Sequence, residues 1–278
     1  MTTTLSAPTA DTTSAEGVAT PVHTLFEART APRLTYRDLV DLASGTTAVL
    51  RVRDFFPADY CSSLLDRLAT CDMGSYDETV VRPRIAKLGP AAYDYYFDDG
   101  LSDDYWEHAA ESHRTRRSLS DDDPLDRATR SIRAAWPGGV TAATVDGRQL
   151  FAGMLREINQ GARIHFDEVV REFPGVLDET PIIQLAFNCH LSMPETGGEA
   201  TVYRRRWRPE DEGSREGYGY SSSVVDGEPT VSVLPAPGDA VLFDPRNYHR
   251  VESSTGGRRV TLSFFLGITA VGRMIMWS

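Results

Sequence analysis

This sequence predicts a mainly β fold with flanking helices, and three observations carry that prediction. Six short apolar runs follow one another from about Val140 onward: FAGMLREI, IIQLAFNCHLSM, GGEATVYRRRW, PTVSVLP, DAVLFD and RVTLSFFLG. Gly and Pro punctuate them, which is the texture of a sandwich, barrel or jelly roll. The first half instead carries helix signatures. The length of 278 residues, with 41% hydrophobic and 25% charged residues, suits a globular unit large enough to pack both halves together.

In chain order, residues 1–22 are rich in Thr, Ser, Ala and Pro and offer too little apolar area to offset the entropy of ordering them, so they are expected to form a disordered tail. Residues 23–278 are then expected to form one domain, helical to about 138 and β-rich from about 139. Residues 36–42 have the pattern of a short helix, and TAVLRVRDFF (47–56) reads as a strand. Pro57 opens a helix to about 69, with Leu64, Leu65 and Leu68 on one face. The stretch 84–136 mixes helical signals with polar loops. Its aromatic residues, Tyr93, Tyr95, Tyr96, Phe97, Tyr105 and Trp106, suit either a core or a pocket lining. Asp121-Asp122-Asp123-Pro124 reads as a solvated turn leading into a helix around 127–135, and Gly138-Gly139 marks the change to β texture. The loops 84–136 and 208–223 are long enough for lids, GSREGYGYSSS being the candidate to order on substrate.

The charge balance excludes some partners. Acidic residues outnumber basic ones 40 to 29, giving a net charge of −11 and a pI near 5.0. A nucleic-acid binder must neutralise phosphates, so that class is not expected. Cys61, Cys71 and Cys189 are too few and scattered for a disulfide framework, and a reducing, cytoplasmic setting is expected. No apolar run reaches the roughly 18 residues of a membrane span. The first residues, MTTTLSAPTADTTSAEG, lack a basic start and an apolar stretch, unlike a secretory signal.

Among six histidines, His23 adjoins the tail, and His108 and His113 do not share a helical face. His165 and Asp167 stand two apart in GARIHFDEV, where a strand projects both to one side. An imidazole and a carboxylate so placed supply two metal ligands. His249, ending PGDAVLFDPRNYH after a strand and tight turn, offers a third. Two histidines and one carboxylate on one face of an ion leave sites open, as in non-haem Fe(II) oxygenases. Arg259 follows in the β-patterned run RRVTLSFF. An arginine pointing into a barrel needs an anionic partner, which a dicarboxylate provides, and Thr261 shares its face. An HxD pair on its own is commonplace; the combination with Arg259 gives it weight.

HFD at 165–167, GDAVLFDPRNYH ending at His249 and GGRRVTLSFF carrying Arg259 resemble the Fe(II)/2-oxoglutarate-dependent oxygenases, in the branch with prolyl-4-hydroxylase-like spacing. GGEATVYRRRW (197–207) is similar to a segment of the subgroup holding free amino acid hydroxylases, radical halogenases and aziridine-forming enzymes. The likeness covers roughly 150–270, with a fainter echo in TAVLRVRDFFPADYCSSLL.

The resemblance implies a double-stranded β-helix (jelly roll, cupin-like) core. It implies that His165, Asp167 and His249 hold Fe(II), and that Arg259, assisted by Thr261, binds the distal carboxylate of 2-oxoglutarate; Arg258 is the rival for that role. O2, the second co-substrate, would be spent in forming succinate and CO2 while an unactivated C–H bond of a small molecule, a free amino acid or close derivative, is hydroxylated. Halogenating members carry Gly or Ala where Asp167 stands, so halogenation is not expected. Asn188 or His190 would touch 2-oxoglutarate if the polar face of IIQLAFNCHLSM looks inward; the other reading turns that face to solvent. Glu168 and Arg84 are candidates for a substrate's ammonium and carboxylate, with plain surface charges as the alternative. The YRRRW run is either an anion-recognition edge or an exposed basic strand, and Trp277 a candidate lid. Desaturation or oxidative cyclisation by the same cofactors, a peptide or carrier-bound substrate, and a non-catalytic jelly-roll binding protein stay open. So does the choice of monomer or homodimer.

Overall fold

The computed structural model describes residues 26–97 and 100–278; the tail expected over 1–22 lies outside them. Its main strands are β1 (Ala28–Ala31), β2 (Val49–Val52), β3 (Gly74–Ser75), β4 (Ala86–Leu88), β5 (Val140–Ala142), β6 (Met154–Glu157) and β7 (Ala162–His165). They continue with β8 (Pro181–Ser192), β9 (Ala200–Arg206), β10 (Thr230–Val233), β11 (Ala240–Phe243), β12 (Asn247–Val251), β13 (Val260–Thr269) and β14 (Met274–Trp277). The helices are α1 (Tyr36–Ala43), α2 (Ala58–Leu68), α3 (Asp103–Ser118), α4 (Pro124–Ala135) and the single turn α5 (Val169–Glu172).

Two sheets face each other. The large one runs β1-β2-β11-β8-β13-β6-β4-β3, with β14 beside β13 and β5 beside β14; the small one runs β7-β12-β9-β10. From β6 to β13 the chain visits the sheets in the order large, small, large, small, small, large, small, large. That alternation is the double-stranded β-helix, and each of the six predicted apolar runs contains one of its strands.

Local chemistry sets the helices. Thr35 and Asp38 cap α1 reciprocally, each side chain accepting the other's backbone N–H. Asp123 caps α4 through the Leu125 N–H at 2.7 Å, with Pro124 in the first turn, where its missing N–H costs nothing. The acidic run 121–124 is therefore a helix start. Leu39, Leu42, Leu64, Leu68 and Ile132 of these helices are buried in one cluster with Phe187, Cys189 and Leu191 of β8. Helices thus cover the outer face of the large sheet, and the alternate residues Gln184 and His190, 3% and 1% exposed, look into the barrel with Asn188.

The first half is more than helical: β1, β2, β3 and β4 extend the large sheet. TAVLRVRDFF finds a partner in β11, with Leu50 opposite Leu242 and Val52 opposite Ala240. Helix α3 escaped the periodicity because it is polar and buries chiefly Tyr105, Ser112 and Arg116.

Arg116, 1% exposed, spans Asp123 (Nε to both carboxylate oxygens, 3.2 and 3.3 Å) and the carbonyls of Ala152 and Gly153 just before β6. Removing one partner of a buried pair strands the other's charge. Arg116→Met is expected to lower unfolding free energy by about 3–5 kcal/mol, read as a reduced urea midpoint at unchanged slope.

Candidate active site

The open end of the barrel holds a cavity of about 210 Å³ between the two sheets, walled on one side by the small sheet and floored by the inward face of β6, β8 and β13. Strands β7 and β12 pair with His165 opposite His249, so both imidazoles leave adjacent backbones toward one side, ring centroids 4.2 Å apart. Asp167 lies just past β7, its N–H tied to the Pro245 carbonyl at 2.9 Å, which turns its carboxylate back toward the pair. Asp167 Oδ2 is 3.4 Å from His249 Nε2 and 3.9 Å from His165 Nε2, and the three ligand atoms lie within 4.8 Å of one another.

The tautomers are set from behind. His165 Nδ1 is 2.7 Å from the Arg163 carbonyl and His249 Nδ1 is 3.0 Å from the Asn247 carbonyl. A carbonyl only accepts, so each Nδ1 carries a proton and each Nε2 faces the carboxylate, where a metal ion would take the place of any proton shared with Asp167. Burial, and then the adjacent His249, lowers His165 to about 4. Burial opposes the Asp167 charge, but the His249 hydrogen bond and the two imidazoles outweigh it and hold the carboxyl at about 2. Two imidazole Nε2 atoms and an ionised carboxylate within one ion's reach suit Fe(II).

Farther in, Arg259 is 3% exposed. Its Nε donates to the Gly198 carbonyl at 3.0 Å and its Nη2 to His190 Nε2 at 3.1 Å. Burial, and then Arg156, lowers its pKa to about 9, a sign of a cation lacking an anion. No carboxylate of the described residues stands within ion-pair distance of it. Gly198, at φ +82°, brings its backbone so close that an added Cβ would sit 3.2 Å from Arg259 Cδ, which explains the glycine pair opening GGEATVYRRRW. His190, pushed well below its usual range by burial and then by Arg259, stays neutral and accepts. Arg258 points away and pairs with Glu157 at 2.7 Å, so the structure places Arg259 rather than its neighbour in the cavity.

Asn188 and Ser263 also line the cavity; Thr261 lies behind them, 1% exposed, its hydroxyl 2.9 Å from Ser263 Oγ. Two sequence candidates are not brought there. Arg84 is half exposed and pairs with Glu78 at 3.0 Å, and Glu168 pairs with Arg171 at 2.9 Å. Two of the three YRRRW arginines serve the fold, with Arg205 on Asp211 and Arg206 on Asp244, while Arg204 is exposed. Trp277 is 3% exposed on β14 and forms cavity wall rather than a lid. The aromatic cluster divides: Tyr105 is fully buried core, Tyr93 and Tyr96 line the cavity, and Phe97 is exposed. His108 sits against the Tyr95 hydroxyl.

Four charged wall residues were not singled out from the sequence: Arg156, Glu172, Arg215 and Arg250. Arg156 shares strand parity with Met154 in FAGMLREI, the one signal for its direction. Glu172 lies one turn beyond the HxD motif and accepts the Glu168 N–H at 3.2 Å, with no cation of the described residues at ion-pair distance. Burial, then Asp167, pushes its carboxyl up to about 8. The unfolded chain releases this proton near pH 4.3 while the folded chain keeps it to about 8, so stability falls as pH rises between them. In metal-free protein, Glu172→Gln is expected to raise Tm by a few degrees near pH 8.5 and not near pH 4; the same shift at both would contradict the assignment.

Fold and site together define a class: the protein is a non-haem iron and 2-oxoglutarate-dependent oxygenase. A family model described as carrier-protein-independent halogenase WelO5 matches residues 27–278, and the chain belongs to that family. It is 40% identical over 261 residues to the L-gamma-glutamyl-L-propargylglycine hydroxylase of Streptantibioticus cattleyicolor, covering 92% of this chain and 97% of the relative. It is 35% identical over 155 residues, 52% of this chain and 63% of the relative, to the leucinostatins biosynthesis cluster protein S of Purpureocillium lilacinum. Among solved structures, an N-substituted L-amino acid dioxygenase from Burkholderia ambifaria matches with a TM-score of 0.59 at 16% identity, over 88% of this chain and 92% of that one. The same enzyme in complex with alpha-KG matches at 0.60. These two likenesses attest the fold.

Proposed function

We propose that this protein hydroxylates an unactivated C–H bond of a small amino-acid derivative, using Fe(II), 2-oxoglutarate and O2, in the cytoplasm, where Cys61, Cys71 and Cys189 remain free thiols. The observation that carries the reading is one cavity holding both the His165–Asp167–His249 set and the buried, anion-less Arg259. A ligand-binding protein has no use for three convergent metal donors beside a carboxylate site.

Iron with its keto-acid co-substrate supplies the oxidising power for C–H cleavage. The chain supplies position and electrostatics. His165, Asp167 and His249 would hold the metal from one side, their rear hydrogen bonds fixing which nitrogen faces it. Arg259 would neutralise the far carboxylate of 2-oxoglutarate, while His190, neutral, orients the guanidinium from inside. Asp167 fills the position that halogenating members leave to a small residue, which supports oxygen insertion over halogenation although the family model is named for a halogenase.

The substrate half of the cavity supports an amino-acid derivative. The Glu172 carboxyl, protonated in the empty cavity, would ionise against a substrate ammonium, and Tyr93, Tyr96 and Phe173 form an apolar wall. A hydroxylase of a γ-glutamyl dipeptide, 40% identical along nearly the whole chain, points the same way.

The test is turnover with Fe(II), 2-oxoglutarate and O2 against a panel of L-γ-glutamyl-L-propargylglycine, other γ-glutamyl dipeptides and free amino acids, read by mass spectrometry. One member gaining a single oxygen, with matching succinate, is expected. Loss of two hydrogens would move the reaction to desaturation or cyclisation.

A further inference from the structure

The cavity holds a second guanidinium that the fold leaves without a counter-charge. Strand β6 places Arg156 opposite Lys87 on one side and opposite Thr261 on the other, and Thr261 in turn faces His190. Laterally paired residues share a sheet face, so Lys87, Arg156, Thr261 and His190 form one row across the sheet, with Arg259 two residues before Thr261, just ahead of β13. Arg156 therefore lines the cavity, close enough to both Arg259 and the His165–Asp167 pair for its charge to act on each.

Its polar contacts are few. Arg156 Nη2 donates to Asn188 Oδ1 at 3.1 Å, and that same oxygen accepts from Ser263 Oγ at 2.9 Å. Arg156 Nε is buried and has no hydrogen-bond partner. No carboxylate of the described residues comes within ion-pair distance of the guanidinium. Other buried or half-buried cations are treated differently: Lys87 holds Asp94 at 2.7 Å, Arg116 holds Asp123, Arg51 holds Asp239, Arg205 holds Asp211 and Arg258 holds Glu157. Arg156 and Arg259 stand apart from these, and both open on the same cavity. Two close, shielded, like charges with a donor unused are costly unless an anion reaches them.

We infer that Arg156 is a second carboxylate-binding residue of this cavity, receiving through its free Nε edge a carboxylate distinct from the one held by Arg259. The inference rests on the oxygenase reading, which offers two sources of that carboxylate: the keto-acid end of 2-oxoglutarate or the amino-acid substrate. Asn188 then acts as the positioning residue, pinning one end of the guanidinium so that the other faces the ligand.

The test uses the full chain loaded with Ni(II), so that binding is read without turnover, and isothermal titration with 2-oxoglutarate, with 2-oxopentanoate, which lacks the distal carboxylate, and with L-γ-glutamyl-L-propargylglycine in the presence of 2-oxoglutarate. If Arg156 holds the keto-acid carboxylate, Arg156→Gln weakens both keto acids alike, by about 10- to 100-fold, whereas Arg259→Gln weakens 2-oxoglutarate alone. If it holds the substrate's carboxylate, Arg156→Gln leaves both keto acids unchanged and weakens the dipeptide by a similar factor. Arg156→Lys, which keeps the charge but loses the fork, is expected to retain part of the affinity, and it stands in should the glutamine variant not fold. Unchanged affinity of the folded variants for all three ligands overturns the inference. Failure of the wild type to bind 2-oxoglutarate would instead contradict the co-substrate reading itself.

Discussion

Asp167→Ala is expected to weaken Fe(II) binding by at least about 100-fold, since losing even a supporting partner of a metal ligand typically costs 10- to 100-fold, and to abolish hydroxylation. The main chain should survive, because Asp167 is held there by its N–H to Pro245 and not by its side chain. What disappears is the carboxylate that sits within 4 Å of both imidazole Nε2 atoms. Iron content after anaerobic loading and desalting reads the first effect, and succinate release with substrate the second. Undiminished turnover in this variant would contradict the three-residue assignment.

The second large effect is expected at Arg259. Arg259→Ala removes the buried guanidinium and leaves a ligand carboxylate facing the neutral His190. Losing one member of a buried, hydrogen-bonded charge pair costs several kcal/mol, so the half-saturating 2-oxoglutarate concentration should rise on the order of 100-fold or more while iron content stays near the wild-type value. Arg258→Ala is the internal control. Its guanidinium lies on the other face of the strand against Glu157, and little change in 2-oxoglutarate requirement is expected. The opposite pattern would shift the register of β13 by one residue.

The parts of this site that the sequence disclosed are those whose side-chain direction follows from a strand's period of two. His165 and Asp167 could be placed on one side before any coordinates, as could Arg259, Thr261 and Ser263, and the polar face of β8 was visible as an alternation in IIQLAFNCHLSM. Its inward direction was not visible: that depends on the helices α1 and α2 covering Phe187 and Cys189, a long-range choice with no local signature. The same limit explains Arg84 and Glu168. Both adjoin informative segments, yet a loop position fixes no direction, and each finds a nearer ion partner at the surface. Glu172 escaped notice because α5 is a single turn, too short for a helical period. Arg156 has the right parity in β6, but only the pairing with β13 and β4 shows that it enters the barrel while Glu157, its neighbour, leaves it. Strand β14 offered four apolar residues, too few to separate a strand from any other buried segment, and its Trp277 turned out to be wall.

The central claim is that this cavity inserts an oxygen atom from O2 into a bound amino-acid derivative. Turnover under isotopically heavy O2, with both products analysed by mass spectrometry, tests it most directly. The predicted result is one heavy atom in succinate and one in the hydroxylated product, the two formed in equal amounts. Heavy succinate beside a product that has gained no oxygen, or substrate oxidation without any succinate, would contradict it.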